Sequence, residues 1–143
     1  MDVPPTIQHL HGRIRSITGD DPAVSAQILV VVPARRRWRL LSVRFTLDTS
    51  AVAANRTVQL IIDDGTNTLA QISATTPQVA NTLQHYTYLN VSFSELIISL
   101  ERFYLLPASI LSSGFRIKTY TTNFQSTDDL SAPQLLVEEW IDP

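Results

Sequence analysis

The residue types that could do chemistry in this chain are few and scattered. His9 and His11 would lie on one face of a strand. A zinc site needs three or four ligands, and with no cysteine in the chain and no carboxylate cluster nearby, nothing completes the set. Asp63-Asp64-Gly65-Thr66-Asn67 gathers oxygen ligands in a turn, as calcium sites do, but lacks the spacing and terminal Glu of a calcium loop. A plain hairpin turn is the better reading. Glu138 and Glu139 are adjacent, so on a strand they face opposite ways and cannot act as an acid–base pair. Arg35-Arg36-Arg37-Trp38-Arg39 could grip phosphate or an acidic partner, but reads better as a turn and strand entry with solvated charges and Trp38 in the core. Tyr86 and Tyr88 share a face. With Trp140 they are the candidates for stacking on a sugar or base, against the alternative of a half-buried cross-strand pair and a packed indole. There is no phosphate loop, nucleophile elbow or zinc signature. The expectation is a protein without catalytic or metal residues and without a cofactor, although scattered Ser, His and Asp could still meet in space.

The elements that must position these residues are strands. The chain has 143 residues, enough for one domain with a full core. Its formal charge is −2, and Lys118 is its single lysine. That balance favours neither nucleic acid nor membrane as a partner. The use of arginine over lysine leans toward protein contacts. No N-terminal signal and no apolar run of about 18 residues is visible, so the expected setting is a host cytoplasm.

Pro33 to Asp48 is the organising stretch. Trp38 and Leu40 fall at even positions, then Leu41, Val43, Phe45 and Leu47 at odd ones. Period-two alternation means strand. The change of parity at Leu40–Leu41 calls for a β-bulge or for burial on both sides. Before it, residues 1–22 read as an arm, with Val3-Pro4-Pro5 extended and a strand conceivable around His11–Ser16. Ala26–Val32 reads as a central strand. After it, Arg56–Asp63 and Thr68–Ala74 form a hairpin about Asp64-Gly65. His85–Phe93 is a strand, with Leu89, Val91 and Phe93 opposite Tyr86 and Tyr88. Residues 94–106 fit either a short helix or a strand. Gly114 opens a strand through Phe115, Ile117 and Thr119, and the last strand runs from Gln134 to Ile141. About eight short strands with turns between them and little helix describe an all-β protein, an antiparallel sandwich or barrel.

Several phrases carry a resemblance. They are Arg37-Trp38-Arg39-Leu40-Leu41-Ser42-Val43, Asn55-Arg56-Thr57-Val58, Leu106-Pro107 followed by Gly114-Phe115-Arg116-Ile117, Asp128-Asp129 and Val137-Glu138-Glu139-Trp140. In order and spacing they resemble the jelly-roll β-sandwich structural proteins of tailed bacteriophages, closest to head decoration or cement proteins, over roughly residues 33–141. The resemblance implies a non-enzymatic virion component of jelly-roll type, commonly a homotrimer, with the major capsid protein or other virion proteins as partners. On this reading residues 1–22 are an N-terminal arm and 23–143 the sandwich. Val3, Pro4, Pro5, Ile7, His9, Arg13 and Arg15 are the expected partner contacts. The alternative is a tail or fibre component that recognises host glycan through Tyr86, Tyr88 or Trp140.

Overall fold

A computed structural model describes residues 12–90 and 96–142. The stretch from Arg36 to Asp48 forms one 13-residue strand, β3. Trp38, Leu40, Val43, Phe45 and Leu47 are all buried on its inner face. Opposite it runs the last strand, β12 (Gln134–Ile141). Leu136 pairs with Ser42 and Val137 with Leu40, so Leu41 is the extra residue of a bulge. The bulge resolves the parity conflict by letting both apolar sets face one way.

The other strands, in chain order, are β1 (Arg13–Thr18), β2 (Leu29–Val31), β4 (Val58–Asp63), β5 (Thr68–Ser73), β6 (Leu83–Leu89), β7 (Leu96–Ile98), β8 (Glu101–Leu105), β9 (Ile110–Leu111), β10 (Arg116–Thr121) and β11 (Asp129–Leu130). No helix occurs among the described residues. The large sheet has the order β1-β12-β3-β6-β8-β7, with β9 and β11 also paired to β3; the small sheet has the order β2-β10-β4-β5. Eight principal strands pair first with last and inward: β1 with β12, β2 with β10, β3 with β6, and β4 with β5, all antiparallel. A long hairpin of four such pairs wrapped into two sheets is a jelly roll. β7, β8, β9 and β11 are additions to it.

The hairpin between β4 and β5 is made by its own side chains. An Asp63 carboxylate oxygen accepts from the Gly65 amide at 2.8 Å, and Asp64 accepts from Thr66 and Asn67 at 2.8 and 2.6 Å. Gly65 supplies the positive φ of 97° that the turn requires. The core lies between the sheets. Val58, Leu60 and Ile62 from the small sheet meet the inner residues of β3 and β12, and each fully buried side chain contributes about 1.5–3 kcal/mol. Four rings stack through it: Phe45 against Tyr86 and Tyr88, and both tyrosines against Tyr104, with centroids 5.2–6.1 Å apart.

One expectation needs correction, and the others are refined. Ala26–Val32 is not a central strand: only Leu29–Val31 is extended, and β2 is an edge of the small sheet with Leu29 and Val31 exposed. The sandwich is not purely antiparallel, because β8 runs parallel to β6. The chain reverses through β7, which pairs antiparallel with β8, and so returns in the direction of β6. Residues 96–98 and 101–105 are strands rather than helix. The described part of the sixth strand ends at Leu89; the expected continuation through Val91 to Phe93 lies outside the described residues. Within residues 1–22, where a strand was conceivable around His11–Ser16, Arg13–Thr18 is an edge strand of the large sheet, in full register with β12.

Candidate functional site

The conspicuous charges are mostly engaged within the fold. Glu139 is buried on β12. One of its oxygens accepts from the Trp38 indole at 2.8 Å, the other from Arg15 at 2.9 Å, with Arg36 at 3.7 Å. Burial pushes the Glu139 carboxyl up, but the bonds from Trp38 and Arg15 and the charges of Arg15 and Arg36 outweigh it, and the group lies below its ordinary value. Arg37 binds Asp142 at 2.8 Å. The guanidinium groups of Arg37 and Arg39 lie 5.9 and 5.5 Å from the centre of the Trp140 ring, which is a cation–π arrangement. The basic cluster is therefore a clasp that ties β1, β3 and β12 together.

The acidic turn is likewise internal. Arg116 and Lys118 bind Asp63 at 2.7 and 2.9 Å. With the Gly65 amide they hold its carboxyl far below the usual carboxylate range, the Arg116 bond being the largest cause. Those oxygens serve cations of the protein rather than a metal. No group of three or more potential metal ligands occurs among the described residues. His9 and His11 lie outside them, as do Val3, Pro4, Pro5 and Ile7.

Tyr86 and Tyr88 are fully buried. They form no stacking platform for a sugar or base: the face they share is the inner face of β6, and the Tyr86 hydroxyl donates to Gln78 at 2.9 Å. Trp140 is also buried, beneath Arg37 and Arg39. The candidate stacking residues are corrected to core and clasp. Arg102, which sequence reasoning did not single out, is buried across the Tyr86 ring at 5.4 Å. It donates to the carbonyls of Thr76 and Pro77 and to Gln84, fastening the loop before β6.

What remains available to a partner is surface. On the small sheet, Leu29, Val31 and Tyr120 are about half exposed. They sit beside Arg116 and Lys118, and Leu29 and Tyr120 line, with Ile61 and Lys118, a shallow groove of about 430 Å³. Two cations there share the carboxylate of Asp63, and the charge of Asp64 also acts on Arg116. A second open cleft, of about 470 Å³, lies where β1 and β2 face each other and is lined by Ile17, Leu29, Val31 and Trp38. On the large sheet, Leu89 pairs with Leu105 and Phe103 with Leu96, giving an apolar strip on the outer face. The ion pair of Arg44 with Glu101, at 2.9 and 3.0 Å, borders it. The sequence signal for the strip was the run Leu96-Ile97-Ile98, whose apolar character at every position cannot be hidden by a one-faced strand.

No protein-family model matches this sequence, and no curated protein matches it. Among solved structures, a chain from the crystal structure of the T13 IBDV viral particle, described as a missing link in icosahedral virus evolution, is similar over 91% of this chain, at 12% identity and a TM-score of 0.47. This chain spans 32% of that one. A likeness so distant carries nothing about function.

Proposed function

We propose that this protein is a non-enzymatic structural component of a virion, and within it a capsid decoration protein that binds and stabilises the assembled shell. The observation that carries the reading is the outer face of the small sheet. There Leu29, Val31 and Tyr120 are half exposed beside Arg116 and Lys118. An apolar centre with a margin of paired charges suits a protein surface that is apolar at its centre and polar at its rim. The jelly roll is at home among viral capsid proteins, and the sequence phrases that resemble phage decoration proteins support the same role. Binding only the assembled lattice stabilises that lattice by linkage, without chemistry. Self-association into a homotrimer multiplies the contacts, because each one after the first is effectively intramolecular. The segment containing Val3, Pro4, Pro5, Ile7 and His9, continued by Arg13 and Arg15, adds contacts to a neighbouring virion protein.

The test is co-sedimentation with intact heads of the virus that encodes the chain. The wild type should pellet with heads, and Tyr120→Ala and Val31→Asp should lose binding while melting like the wild type. A wild type that stays in the supernatant would sink the reading. The glycan-binding alternative has no exposed aromatic cluster to stand on among the described residues, where Tyr86, Tyr88 and Trp140 are buried.

A further inference from the structure

Four loops, residues 19–28, 49–57, 74–82 and 122–133, meet at one end of the sandwich, and all of them lie within the described residues. The Ser25 amide donates to the Asp128 carbonyl at 2.8 Å, and the Asn123 side chain to the Asn55 carbonyl at 2.9 Å. Two of the loops run side by side and are tied at both ends. At one end the Thr49 amide donates to the Thr82 carbonyl, and the Asn81 amide to the Ser50 carbonyl, both at 2.9 Å. At the other, Arg56 and Gln78 exchange backbone bonds at 2.9 and 2.7 Å. Between the ties the loops part. They leave an open cleft of about 420 Å³ walled by Ala53, Ala54, Val79 and Ala80, with Asn55 as the polar residue of its lining. Arg56 steadies one wall by donating to the Ala54 carbonyl at 2.6 Å. Val52 and Val79, one on each loop, are 49% and 53% exposed. An apolar cleft held open in this way needs little reordering before it can be filled.

The charges at this end have one sign. Asp20, Asp21, Asp48 and Asp129 are exposed, whereas Arg56 and Asp128 are buried against each other. No exposed lysine or arginine lies on the four loops. Asp48 ends β3 and is the register partner of Asp129 on β11. Like charges directly opposite each other destabilise a sheet. Asp63, Glu101, Asp128, Glu139 and Asp142 all have a cation within the fold, but neither Asp48 nor Asp129 forms an ion pair with a described residue. On its other side Asp48 pairs with Leu83, which is partly exposed. Asp48 also directly precedes Thr49, where the cleft is tied. An uncompensated pair of carboxylates therefore stands at one end of an apolar cleft.

We propose that this loop end docks a basic, apolar segment of another protein. An aliphatic side chain of the segment enters the cleft, and a neighbouring arginine bridges Asp48 and Asp129. Arginine fits better than lysine because its planar fork reaches two carboxylates at once. An acidic partner would add to the repulsion already present, and an anionic lipid surface would be repelled in the same way. The site is separate from the outer face of the small sheet and does not rest on the virion reading.

The experiment is a heteronuclear NMR titration of the full chain with a short acetylated peptide of alternating leucine and arginine. The backbone amides of residues 48–55, 79–83 and 129 should shift, while those of Leu29, Val31 and Tyr120 stay in place. Replacing the peptide's arginines by glutamate, or its leucines by serine, should abolish the shifts. Ala53→Arg, at an exposed position of the cleft wall, should abolish them too while melting like the wild type. Asp48→Asn and Asp129→Asn should each weaken binding by up to about fivefold, as the loss of an exposed ion pair does. Both should melt no lower than wild type, because they remove a repulsion. Loop amides that do not move overturn the proposal, as does equal binding of the glutamate peptide or binding that survives Ala53→Arg. Full affinity in the double Asp48→Asn, Asp129→Asn variant, or a lowered melt in either single one, overturns the arginine bridge. Co-sedimentation with heads is read separately, so the failure of one reading is distinguishable from the failure of the other.

Discussion

Arg56 and Asp128 stand 72 positions apart and meet through two hydrogen bonds, at 2.9 and 3.0 Å, with neither side chain exposed to solvent. The remaining donors of Arg56 go to the Ala54 carbonyl and the Ser50 hydroxyl, and Asp128 accepts further from the amides of Ser50 and Gln125. The pair thus fastens the loop after β3 to the loop after β10. Removing one partner leaves a buried charge uncompensated, which costs about 3–5 kcal/mol. Asp128→Ala should lose that amount in a denaturant melt. The adjacent Asp129 is exposed, and Asp129→Ala should stay within about 0.5 kcal/mol of wild type.

Acid should unfold the protein through three carboxylates. Asp63 is held low first by Arg116. Asp128 and Glu139 are pushed up by burial but brought below their ordinary values by Arg56 and backbone amides, and by Trp38 and Arg15. A depressed folded-state pKa contributes stability that is fully present above the unfolded value, about 4, and is lost as the pH falls through the folded value. The melting temperature should be level from neutral pH to about 5 and then drop steadily below about 4. Asp63→Asn should melt lower at neutral pH and show a shallower acid limb. An acid limb unchanged by that substitution would count against Asp63.

Gly19 is a point of close approach. A β-carbon there would come within 2.6 Å of the Pro133 ring and 3.0 Å of Val30, while the Gly19 amide donates to the Pro133 carbonyl at 2.9 Å. The proline ring cannot swing away. Gly19→Ala should therefore cost about 1–3 kcal/mol, as overpacking does, and the loss should register in a chemical denaturation curve.

Two truncations separate the arm from the edge strand. Removing residues 2–11 leaves β1 and its pairing with β12 whole, so the melting temperature should hold while head binding weakens. Removing residues 2–18 strips the edge from β12 and takes Arg15 from Glu139, so the melting temperature should fall as well. Equal melting temperatures for the two would mean that β1 contributes nothing to the fold.

Much of the fold was legible because it is local. Alternation in Val58, Leu60 and Ile62, the Asp64-Gly65 turn and the strand from Gln134 to Ile141 all follow from period two and turn chemistry. Even the bulge at Leu41 was announced by a change of parity. The candidate sites fared differently. Tyr86 and Tyr88 share a face in any strand, but whether that face meets water or Phe45 depends on what packs against β6. A central and an edge strand can have the same composition, which is why Ala26–Val32 was misplaced.

By itself, the sequence determined an all-β chain of about eight main strands, without cysteine chemistry and without a catalytic signature, because hydrophobic period and residue inventory are properties of neighbours along the chain. Only the tertiary structure decided which charges are consumed. Glu139 with Trp38 and Arg15, Asp63 with Arg116 and Lys118, and Arg56 with Asp128 are all pairs distant in the chain. It also decided which apolar residues stay uncovered, since β7 is exposed by the unequal width of two sheets. That width is set by long-range strand pairing, and no local pattern encodes it.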